Sequence, residues 1–135
     1  MDNQEFTPRP LPDYVRRRPR GQCIGNAVET AIEHYPAFEY AEGLAKSAES
    51  GYWFRHAWNV AADGTVIDTT WPVPGLRYVG RIIWLPKVTQ RVQATGRYDY
   101  VDAAAHPPVP AGEAGIDCYT AAQQEWLGAQ YCIDR

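Results

Sequence analysis

Between Gln22 and Tyr35 the apolar residues Ile24, Ala27, Val28, Ala31, Ile32 and Tyr35 fall at i, i+3, i+4, i+7, i+8 and i+11. That period marks one apolar stripe along a helix, and Pro36 ends it. Phe38-Glu39-Tyr40-Ala41-Glu42-Gly43-Leu44 alternates and predicts a strand. After a Ser/Glu/Gly loop from Ser47 to Gly51, two apolar runs, Trp53–Val60 and Thr65–Trp71, flank Ala62-Asp63-Gly64. This is the pattern of a β-hairpin. Leu76–Leu85 predicts a further strand, while Val88–Tyr100 fits neither period cleanly.

The ends of the chain carry other patterns. Residues 1–20 form a Pro- and Arg-rich arm, in which Pro8, Pro10, Pro12 and Pro19 argue against regular structure. Residues 21–102 make the core. Residues 103–135 combine an Ala/Pro/Gly linker with a short closing helix over 119–130, packed on the same domain. A helix followed by strands predicts an α+β layer architecture, an N-terminal helix against an antiparallel sheet.

Composition narrows the class. With 135 residues, 45% hydrophobic and 21% charged, the chain makes one globular domain. No apolar run approaches the ~20 residues that cross a bilayer, and Met1-Asp2-Asn3-Gln4-Glu5 does not read as a secretory leader. The expectation is a cytoplasmic protein without a membrane partner. A formal net charge of −3 gives no global attraction to nucleic acid. Arg16, Arg17, Arg18 and Arg20 nevertheless make a local basic run. An arm laid across the domain is the simpler account of it than a contact for an acidic partner. Three cysteines without a CxxC pair argue against a disulfide framework or a closed zinc site. A site joining His106 to Cys118 and Cys132 matches no ligand spacing, and the reading calls for no cofactor and no metal.

Cys23 stands at the start of the predicted helix, where the dipole and first-turn N–H groups favour a thiolate. A lone cysteine is more often a small core residue. His56 alters the balance, because strand alternation turns it to the same side as Phe54, Trp58 and Val60. A three-residue turn at Ala62-Asp63-Gly64 pairs Ala61 with Thr65 and sets Asp68 diagonally beside His56 on one face. A two-residue turn, Asp63-Gly64, sends Asp68 to the opposite face. One residue of loop length therefore decides whether Cys23, His56 and Asp68 form a nucleophile, base and orienting carboxylate.

These segments also carry a resemblance. Cys23-Ile24-Gly25-Asn26-Ala27, Tyr40-Ala41-Glu42-Gly43, His56-Ala57-Trp58-Asn59-Val60 and Asp63–Trp71 resemble the transglutaminase-like branch of the papain-like cysteine enzymes, over about residues 21–85. The same pattern is similar to that of small bacterial and phage Cys-His-Asp proteins. The resemblance implies a papain-like/transglutaminase-like core with nucleophile, His and Asp in that chain order. It also implies a thiol hydrolase or acyltransferase acting on an amide, ester or thioester bond. Such an enzyme's partner is a peptide, a protein or a small amide or ester. Ile24 stands where transglutaminases place a bulky aromatic, and Gln22 adjoins Cys23 where papain-type enzymes set an oxyanion Gln several residues earlier. Neither proteolysis nor amide transfer is therefore singled out. Gln22, Asn26, Glu42, Trp58 and Trp71 are the candidate oxyanion or substrate-positioning residues. The competing reading is a non-catalytic binding module that uses an aromatic groove and the basic arm.

Overall fold

The computed structural model describes residues 3–115. The expected helix over 119–130 and the cysteines Cys118 and Cys132 lie outside the described residues. The fold is α+β. A five-stranded antiparallel sheet is built from β1 (Gln4–Phe6), β2 (Phe38–Lys46), β3 (Trp53–Ala61), β4 (Val66–Ile67) and β5 (Arg77–Ile83), in the order β1-β5-β2-β3-β4. Two helices, α1 (Cys23–Glu33) and α2 (Leu85–Thr95), accompany it. The sheet curls until its edges approach: Thr7, just after β1, bridges Thr65, just before β4, and Val66 N–H donates to Thr7 O at 2.9 Å.

The interior of the curl is aromatic. Phe6, Phe54, Trp58, Trp71 and Tyr78 pack there with Val60 and Val66, each ring contributing on the order of 2–3 kcal/mol by leaving water. A second cluster joins Cys23, Ile24, Ala27 and Val28 of α1 to Tyr40, Ala57, Ile83 and Val88.

Several sequence expectations shift. The helix ends at Glu33, with His34 as its cap, and Ile32 and Tyr35 are 57% and 75% exposed. The polar Asn26 and Thr30 occupy the buried side instead, because their side chains are hydrogen-bonded there. The arm is not wholly irregular, since Gln4–Phe6 add an edge strand before the prolines begin. The Thr65–Trp71 run pairs only at Val66 and Ile67, then leaves the ladder. Val88–Tyr100 resolves into α2 through Thr95, closed by Gly96 at φ 72° with its N–H on Val92 O. The 103–115 stretch, the Ala/Pro/Gly linker of the sequence, is tied down on the domain. Ala103–Ala105 form a 3-10 turn, Trp53 bridges Gly115, and Glu113 accepts from Lys46 and Trp53.

Candidate active site

The hairpin turn settles where Asp68 points. Gly64 takes φ 82°, Ala61 N–H donates to Thr65 O at 2.9 Å, and Asn59 pairs with Ile67. This is the three-residue turn, with Gly64 adopting the left-handed conformation that other residues avoid. Asp68 consequently turns inward, and its Oδ2 lies 2.9 Å from His56 Nε2.

Beyond Ile67 the chain bends around the Asp68 carboxylate. Oδ1 accepts the N–H groups of Thr70 at 3.0 Å and Trp71 at 3.2 Å, and Oδ2 also accepts the Tyr78 hydroxyl at 2.7 Å. Tyr78 Oη in turn accepts Gly75 N–H at 2.7 Å. A buried carboxylate is tolerable when it is this fully bonded. Burial works against its ionisation. The His56 charge and hydrogen bond, the Tyr78 hydroxyl and the Trp71 amide outweigh it, so the Asp68 pKa lies below the usual value. Burial likewise opposes a charge on His56. The charge and hydrogen bond of Asp68, with a smaller contribution from Cys23, push the imidazole up to about 9. The pair therefore rests as carboxylate and imidazolium at neutral pH.

Cys23 opens α1 and is 1% exposed. His56 is fully buried, and its Nδ1 makes no hydrogen bond of good geometry among the described residues. Cys23 is nevertheless among the groups that raise the His56 pKa, after Asp68, so the thiol and the ring influence each other. Asn26, one turn on, fixes the start of the helix by donating to Pro19 O at 2.7 Å and Thr70 Oγ1 at 2.9 Å. The same Thr70 sits beside the Asp68 bend, so one hydrogen-bond chain ties the helix start to the carboxylate.

The other candidates take different places. Gln22 is exposed at the helix cap and makes no capping side-chain bond. Trp58 is in the core, edge-on to Tyr78 with centroids 5.1 Å apart. Trp71 is buried and stacked on His56. Both indoles are buried among the described residues. The arm's arginines are used at home. Arg17 donates to Trp71 O, Arg18 pairs with Glu29 and Glu33, Arg16 with Glu33, and Arg20 with Glu49.

Glu42 is the surprise. It is fully buried in the middle of β2, and it organises residues far along the chain. Its carboxylate accepts the Tyr40 hydroxyl at 2.9 Å and the backbone N–H groups of Val101 and Asp102, both at 3.1 Å. His106 Nε2 is 2.9 Å from Glu42 Oε2, and His106 Nδ1 is 3.0 Å from Gly43 O. A carbonyl only accepts, so Nδ1 is the donor to Gly43 O. The segment so clamped brings the half-buried Tyr100 to Cys23, hydroxyl to sulfur 3.5 Å. Sequence alone places His106 in the 103–115 linker and gives Tyr78 and Tyr100 no role. Strand alternation could have turned Tyr78 inward, whereas nothing local marks Tyr100 or His106.

No protein-family model matches this chain, and neither a curated protein nor a solved structure matches it.

Proposed function

We propose that this protein is a cysteine-dependent hydrolase or acyltransferase of the papain-like/transglutaminase-like kind. Cys23 is the nucleophile, His56 the base and Asp68 the orienting carboxylate. The observation that carries the reading is one buried imidazole, its Nε2 2.9 Å from Asp68 Oδ2 and its Nδ1 left without a hydrogen-bond partner among the described residues, with Cys23 at the helix start among the groups that raise its pKa. A charged imidazole beside a thiol at a helix start favours the thiolate. The sulfur attacks an acyl carbonyl, and the carbonyl electron pair moves to oxygen. Collapse of that intermediate expels the leaving group, which takes its proton from His56 Nδ1. Water or an acceptor amine then attacks the acyl-cysteine, with His56 receiving the proton. The binding-module alternative needs an open aromatic groove and a free basic arm. The burial of Trp58 and Trp71 and the home-bound arginines weigh against it.

Iodoacetamide labelling at pH 6, mapped by mass spectrometry, tests the pairing. Labelling at Cys23 should fall at least ~10-fold in His56→Ala, the factor that one pKa unit of thiolate stabilisation represents. Cys118 and Cys132 should be unaffected. Equal Cys23 rates in wild type and variant would overturn the reading.

A further inference from the structure

We propose that the Tyr100 hydroxyl is a catalytic hydrogen-bond donor to the oxyanion formed at Cys23, and that buried Glu42 and His106 exist to position it. The proposal deepens the nucleophile reading above and rests on it.

Acyl transfer places negative charge on an oxygen bonded to the same carbon as the attacking sulfur. A donor serving that oxygen must therefore lie beside the sulfur, about 2.7–3.1 Å from where the oxyanion will sit. The Tyr100 hydroxyl is 3.5 Å from Cys23 Sγ and so lies beside the sulfur, as such a donor must. Tyr100 is half-buried where Cys23 is 1% exposed. A substrate carbonyl arriving there exchanges one hydroxyl contact, with sulfur, for another, with its own oxygen. The backbone N–H of Cys23, in the first turn of α1 where amides lack an intrahelical acceptor, is the natural second donor.

A donor of this kind is effective only if it is held in place beforehand. Tyr100 is held from three sides. The Arg55 guanidinium lies over its ring at 4.6 Å, which also polarises the hydroxyl toward donation. The His106 ring meets it edge-on at 4.7 Å and 70°. The next two backbone amides, Val101 and Asp102, are fixed to Glu42. A carboxylate buried inside a sheet strand is costly unless it does something that an apolar residue could not. Gathering two amides and an imidazole beside the nucleophile is such a task. Gly43 allows the clamped segment to lie close: a Cβ there would come within 2.9 Å of Ala105 O and 2.2 Å of Val79 O.

Two small probes separate this role from others. p-Nitrophenyl acetate acylates Cys23 through an oxyanion: the thiolate sulfur–carbon bond forms, the carbon–oxygen bond breaks, and nitrophenolate leaves as the anion while His56 keeps its proton. Iodoacetamide alkylates the same sulfur by displacing iodide, with no oxyanion. Tyr100→Phe should therefore slow acylation by about 10²–10³-fold while alkylation stays within about 2-fold. Glu42→Gln should shift the same ratio in the same direction, by less, because the glutamine oxygen still accepts part of the clamp. A Tyr100→Phe variant in which both rates fall together, both rise together or neither changes would overturn the proposal. A wild type that is not acylated at Cys23 would overturn the nucleophile reading instead, so the two failures are distinct.

Discussion

The indole of Trp71 lies nearly parallel to the imidazole of His56, with ring centroids 4.1 Å apart and planes at 15°. An aromatic face that close to a desolvated cation is worth about 1–2 kcal/mol to the charged form, or roughly one pKa unit. The stack also screens the His56–Asp68 bond from water. Trp71→Leu should accordingly lower the His56 pKa from about 9 by roughly one unit. The ring proton shifts of His56 in an NMR titration measure this directly, and an unchanged pKa would remove Trp71 from the electrostatics of the site.

Stability should follow the same pair. The folded His56 titrates at about 9, above the ~6.5 of an unfolded chain. Its contribution is therefore fully present below ~6.5 and is lost as pH rises through 9. Asp68 is shifted the other way. Its contribution is present above the unfolded ~3.9 and is lost as pH falls through the lowered value. Urea midpoints should decline between pH 6.5 and 9 in the wild type, and the decline should disappear in His56→Asn. A wild-type midpoint flat over that interval would contradict the ion pair.

Asp68 and its neighbour Tyr78 should differ in what they cost. Asp68→Asn keeps the shape but loses the charge that holds the imidazolium, a change worth up to ~10⁴-fold in turnover in the serine triad. Asp68→Ala also strands the Tyr78 hydroxyl, two amides and His56, and should destabilise by about 3–5 kcal/mol. Tyr78→Phe leaves the pair intact but orphans Gly75 N–H, so about 1–3 kcal/mol of stability is expected to go with a smaller loss of acylation. Chemical denaturation beside p-nitrophenyl acetate kinetics distinguishes the three.

Gly43→Ala tests the close approach over β2. The added methyl meets backbone on both sides, and overpacking of this kind costs about 1–3 kcal/mol. The closest clashes are with Val79 O and Gly80 Cα of β5, so the strain falls on the β2–β5 pairing before it reaches Ala105 of the segment that Glu42 clamps. Amide hydrogen exchange in β5 should therefore accelerate more than exchange at Val101 and Asp102. Uniform acceleration would mean that the clamp and the sheet open as one unit.

The part of this arrangement written in nearby residues could be read from sequence. Hairpin turn and alternation together fix the side on which Asp68 emerges, because a period of two leaves only two outcomes and Gly64 selects between them. The helix opening at Cys23 is equally local. Long-range partners escaped. Tyr100 meets Cys23 across 77 positions and His106 meets Glu42 across 64, and no periodicity encodes such meetings. Glu42 carried a partial signal, a charge sharing strand parity with Tyr40 and Leu44, but parity cannot say what satisfies it. Ile32 and Tyr35 misled for the opposite reason. They continue an apolar stripe past the point where anything packs against it.

Glu42 also sets an order of events for the growing chain. The carboxylate lies in the second strand, while all of its partners except Tyr40 lie between residues 101 and 106. Until those residues emerge from the ribosome, β2 carries a charge that its folded place cannot accommodate, so the early strands cannot close tightly over it. Cys23 is synthesised near the start, yet the Tyr100 contact that completes its setting comes from a segment made some eighty residues later. The surroundings of this thiol are therefore finished only when that late segment has been built.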